Sequence, residues 1–300
     1  MTTTHRTPTH SPVTATATSH RSMDGEADRQ PRWIRRHTLL AYTLVAYGIT
    51  WSLLIGGFFG SRAGILNPDG ALVGLIVQLA AAGPLMAALV VVSHTSGRAG
   101  LAELGRSVIR WRVSPLWYAF VFLAVPLLMV GMVTAFYAAE MLPALGRNWS
   151  LLYTQLPIGV LSVALITGLA EEPGWRGCAQ PTANRHYSPL VAALAVSVIW
   201  AGWHLPNALF GSTAMETVTH FVATLVNGFV LAWTYNSTGS VLIVMLLHGA
   251  QNATAALVPA LLAGSAGGPS TSVYYLISAA TFGVLMVCVA VLTRGRLGVK

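Results

Sequence analysis

Eight long apolar stretches, at about residues 39–60, 71–93, 115–138, 156–172, 189–206, 216–235, 240–260 and 273–293, dominate this chain of 300 residues. A helix needs about 20 predominantly apolar residues to cross a hydrocarbon layer roughly 30 Å thick, and within such a layer every backbone polar group must be satisfied internally. Composition agrees. Only 9% of the residues are charged, against about 25% in a soluble domain. The predicted fold class is therefore all-α, a polytopic integral membrane bundle of about eight transmembrane helices.

The net charge of +8 is read by position. If the N-terminus is cytoplasmic, every Lys and Arg except Arg62 and Arg147 falls on the inner side. The positive-inside rule then sets the orientation, with both termini cytoplasmic in a multi-pass cell-membrane protein. This placement makes the lipid bilayer the partner of the basic residues and argues against nucleic acid. Residues 1–37 form a basic tail rich in Thr, Ser, His and Pro, with too little apolar content to fold, and they are predicted to be disordered. The bundle is predicted over 38–300, with the first apolar run acting as a retained signal anchor behind Arg32, Arg35 and Arg36. The segment Glu140–Pro157 is too polar to span and is predicted to lie at the outer interface. Cys178 and Cys288 are both placed towards the cytoplasm, where a structural disulfide is not expected.

Ionisable groups inside spans are expensive and mark functional sites. Three such groups stand out. The fourth stretch ends in Glu171-Glu172-Pro173-Gly174-Trp175-Arg176. Glu172 and Arg176 have the spacing of a helical ion pair, although Pro173 and Gly174 between them predict a kink or break. If Arg176 neutralises Glu172, Glu171 remains as a desolvated carboxylate suited to general-base chemistry on water. The string also reads as a charged helix end at the interface.

The fifth stretch places Trp200 and His204 on one helical face ahead of Pro206. A histidine beside tryptophans can be a hydrogen-bonded packing residue or part of a reactive site. In the seventh stretch His248 and Asn252 share a face, and Gly249 and Ala250 permit close approach of a helix or a substrate backbone. Two adjacent donors suit an oxyanion, and equally suit helix-to-helix hydrogen bonding. His220 and Glu216, near the outer start of the sixth stretch, are read as structural or interfacial.

Taken together, Glu-Glu-x-x-x-Arg at Glu171, Glu172 and Arg176, aromatic-x-x-x-His at Trp200 and His204, and His-x-x-x-Asn at His248 and Asn252 resemble the CPBP family of intramembrane proteases. That group contains the type II, Rce1-like CAAX prenyl endopeptidases and the bacterial Abi proteins linked to bacteriocin immunity. The resemblance covers about residues 156–256.

The resemblance implies an eight-helix bundle whose conical cavity holds a glutamate-activated water, and an endopeptidase acting on a membrane-associated peptide or protein. In it Glu171 is the general base, His204 orients or activates the water, His248 and Asn252 bind the oxyanion, and Glu172 and Arg176 support them. Trp200 stands where many members carry Phe, an aromatic for an aromatic. A metal reading would place zinc on Glu171, His204 and His248, with one position open for water. No His-Glu-x-x-His is present, and the resemblance implies a metal-free mechanism, so no cofactor is expected. The competing functional classes are a proton-coupled transporter using the same groups as a relay and a non-catalytic scaffold or immunity protein.

Overall fold

The computed structural model describes residues 1–2, 32–265 and 267–299. Among the described residues, eight helices are long and apolar enough to cross a membrane. In chain order the elements are α1 (Thr38–Arg62), α2 (Ala71–Ala81), α3 (Gly83–Val108), α4 (Pro115–Phe136), α5 (Ala138–Asn148), α6 (Leu151–Asn184), α7 (Pro189–Phe210), α8 (Ala214–Thr238), α9 (Val241–Leu261) and α10 (Thr271–Leu292). Helices α2 and α5 are the two of these that do not span. The protein is a polytopic helical bundle, as the apolar pattern predicts. Most of the expected tail lies outside the described residues; its end, Arg32–Arg36, forms a short helix ahead of α1.

The second span differs from its prediction. The apolar stretch beginning at residue 71 breaks at Ala82, and the spanning helix starts at Gly83. Pro84 occupies the first turn of α3, where its missing N–H costs nothing. At 11 residues, α2 is about 16 Å long by helical rise, too short to cross alone. Residue Gly97 interrupts α3 with φ 58°, a conformation that glycine adopts without steric cost.

Several helix ends carry side-chain caps. Ser114 accepts from the Leu116 N–H at the start of α4, and Ser240 accepts from the Ile243 N–H at the start of α9. Thr213 and Glu216 form a reciprocal capping box that opens α8, and Gly239, in the left-handed region, closes it. The segment expected at the outer interface forms α5 and the start of α6, where Trp149 and Tyr153 are exposed.

Helix α9 is central. Of its apolar window 78% is buried, against 17–44% for the other spans, so α9 is surrounded by protein while its neighbours present one flank outward. Those flanks carry Leu44, Leu89, Leu127, Leu165, Ile166 and Val287, all exposed and apolar, as a hydrocarbon environment requires. Helices α6 and α9 approach closely. A side chain at Gly249 would collide with the Val160 carbonyl oxygen, so this glycine accommodates a helix.

Candidate active site

The Glu171-Glu172 pair lies inside α6. The sequence predicts a kink or break after Glu172, but the helix continues to Asn184. Wide π-helical turns at Ala164–Gly168 and Trp175–Ala179 flank the pair. Pro173 cannot donate a backbone bond, and its ring crowds the preceding turn. Local widening of the helix relieves that conflict without ending it. One consequence concerns Arg176. The positive-inside reading counts Arg176 among the inner residues, but it lies fully buried within α6.

Burial at this depth demands partners. Arg176 Nη1 donates to both oxygens of Glu172, at 3.1 and 2.9 Å. The ion pair inferred from the i, i+4 spacing therefore forms, with both side chains fully buried. Glu172 has a second partner that the spacing does not reveal. His248 Nδ1 lies 2.8 Å from Glu172 Oε1. A carboxylate paired with a guanidinium can only accept, so His248 donates through Nδ1, leaving Nε2 as the ring atom free for the cavity.

Glu171 is held separately. Trp200 Nε1 donates to its Oε2 at 2.8 Å, and Glu171 is only 4% exposed. The Trp200 ring also receives the Arg176 guanidinium, 4.5 Å from its centroid, and meets the rings of His204 and His248 edge-on, each at 5.6 Å. This corrects the view of Trp200 as one aromatic in place of another. A Phe could stack here, but it has no N–H for Glu171.

His204 lies within α7 at the point where its α-helical part ends, after Trp203, and a tighter 3-10 turn, Leu205–Phe210, begins. Its Nδ1 lies 2.9 Å from the Trp200 carbonyl oxygen. That oxygen only accepts, so the ring donates there and again leaves Nε2 free. The shared face expected for Trp200 and His204 is therefore present.

Glu171, Trp200, His204, His248 and Asn252 all line one cavity of about 310 Å³. The fully buried Glu172 and Arg176 are not among its lining residues and support it from behind. His220, read from sequence as structural or interfacial, also lines this cavity, with its ring 4.9 Å from that of His204. Asn227 and Gln251 line it as well. For His220 and Asn227 the signal lies in α8 as a polar stripe, since His220, Thr224 and Asn227 follow one another at helical spacing, whereas Gln251 belongs to α9, next to the His248–Asn252 face. Among the described residues, no three His, Cys, Asp or Glu side chains converge to hold a metal ion. Glu171, His204 and His248 line the same cavity.

Residues 153–254 match the family model described as type II CAAX prenyl endopeptidase, Rce1-like. No curated protein matches the chain.

Proposed function

We propose that this chain, whose residues 153–254 match the Rce1-like family model, is an intramembrane endopeptidase that hydrolyses a peptide bond of a membrane-associated polypeptide by glutamate-activated water. The observation that carries the reading is the convergence of Glu171, His204, His248 and Asn252, from three helices, on one cavity.

In the proposed reaction Glu171 takes a proton from a water molecule, and the oxygen of that water forms a bond to the scissile carbonyl carbon. His204, fixed through Nδ1 on the Trp200 carbonyl, orients the water through Nε2. Negative charge develops on the carbonyl oxygen. The Asn252 side-chain amide and the Nε2–H of protonated His248 donate to it. Glu172, already paired with Arg176, accepts from the other nitrogen of protonated His248, whose positive charge is balanced by Glu171 before the reaction and by the oxyanion during it. Glu171 then passes its proton to the leaving nitrogen as the C–N bond breaks. General-base assistance of this kind is worth about 10²–10⁴ in rate, and one oxyanion donor about 10²–10³.

No step requires a metal or other cofactor. The experiment is cleavage of a quenched fluorescent peptide library by purified protein in detergent, comparing wild type with Glu171→Ala and His248→Ala, with and without a chelator. Cleavage that both substitutions abolish and the chelator spares supports the reading. Absence of cleavage by folded wild-type protein across the library contradicts it.

A further inference from the structure

A polar route leads from the cavity towards the surface. A second cavity of about 240 Å³ shares His204, Asn207, His220 and Tyr275 with the first. It continues to Gly211, Ser212, Glu216 and Thr271, where α7 ends and α8 and α10 begin. Asn207, Gly211 and Ser212 are exposed. At the other end the reactive groups are sealed. Tyr42, Glu172, Trp175 and Arg176 are each fully buried, with Tyr42 and Trp175 packed edge to face at 5.4 Å.

These two ends differ sharply in charge. The sealed end carries Arg36 before α1, Arg106 in the last turn of α3, Arg110 and Arg112 between α3 and α4, Arg185 between α6 and α7, and Arg294 and Arg296 after α10. The open end carries Arg62 at the end of α1 and Arg147 at the end of α5. Short loops rich in Arg and Lys stay in the cytoplasm. The cavity mouth therefore lies at the opposite face.

We infer that the site opens away from the cytoplasm and takes its substrate there. The substrate class is then a peptide segment presented at the outer face of the membrane, such as the outer juxtamembrane region of an anchored polypeptide or a polypeptide already exported. A C-terminal tail lying in the cytoplasm would meet the sealed, basic end. This assignment rests on the proteolytic reading for the word substrate, but the orientation of the mouth stands independently of it.

The test is site-directed labelling of the full chain in intact cells with a membrane-impermeant maleimide. The background is Cys178→Ala with Cys288→Ala. Ser212→Cys and Asn207→Cys report the mouth, and Ser188→Cys and Tyr187→Cys, all four at exposed positions, report the basic end. The expected result is labelling of both mouth variants in intact cells and loss of labelling for both basic-end variants until the membrane is opened. Using two positions at each end keeps the test decisive if one variant fails to fold. Labelling of the mouth variants only after opening, or of both pairs in intact cells, overturns the inference. Neither result bears on cleavage by the detergent-solubilised protein, so failure of the orientation and failure of the proteolytic reading remain distinguishable.

Discussion

Glu172 Oε1 lies 2.8 Å from His248 Nδ1, joining two helices across 76 residues of sequence. The same carboxylate takes two bonds from Arg176, so one buried acidic group both neutralises a cation and orients a histidine. This arrangement resembles the outer partners that fix imidazole orientation at many reactive centres.

Glu172→Gln keeps the size of the side chain and removes its charge. Arg176 is then left as a buried cation without a counter-ion, a change that typically costs about 3–5 kcal/mol. Thermal unfolding in detergent is expected to show a large fall in stability, and cleavage is expected to fall with it. Unchanged stability would mean that the Glu172–Arg176 pair is not buried as described.

Trp200→Phe separates the ring from its N–H. The stacking on Arg176 and the histidines can persist, but Glu171 loses its donor. A hydrogen bond to a charged group is worth about 1.5–3 kcal/mol, so a decrease in kcat of about tenfold or more is expected with little change in KM. An unaltered kcat would show that Glu171 is positioned by something other than Trp200.

Gly249→Ala places a methyl group against the Val160 carbonyl oxygen and about 3.3 Å from the Ala164 side chain. Overpacking of this kind costs about 1–3 kcal/mol. Lower thermal stability is expected, together with reduced cleavage, because the residue adjoins His248. A neutral result would indicate that α6 and α9 are farther apart than the structure places them.

Removal of metal ions is expected to leave cleavage unchanged. Dialysis against a strong chelator, followed by assay with and without added zinc, checks this directly. Loss on chelation with recovery on zinc would make Glu171, His204 and His248 ligands and not acid–base groups.

Much of this architecture is legible in the residues themselves. Long apolar runs with few charges leave helices as the economical way to bury backbone polar groups in lipid, and the i, i+4 spacings at Glu172–Arg176, Trp200–His204 and His248–Asn252 identify which side chains share a face. What spacing within one helix cannot convey is contact between helices. The bond from Glu172 to His248, the Trp200 donor to Glu171 and the approach of His220 to His204 all depend on how α6, α7, α8 and α9 pack.

Two backbone details were hidden for a different reason. Pro84 and Pro173 each signal a local conflict, but their residue type does not say how it is resolved. At Pro84 the chain starts a new helix; near Pro173 it widens into π-helical turns and continues. Only the second outcome buries Arg176 against Glu172.

The most direct test of the central claim is the rate of peptide cleavage by Glu171→Gln relative to wild type, measured on protein whose thermal stability is shown to be preserved. The amide retains an oxygen that can accept from Trp200 Nε1, so the cavity keeps its shape, but it cannot take a proton from water. The account predicts that cleavage falls by about 10²–10⁴, the range of general-base catalysis. Cleavage at the wild-type rate by the folded variant would contradict it.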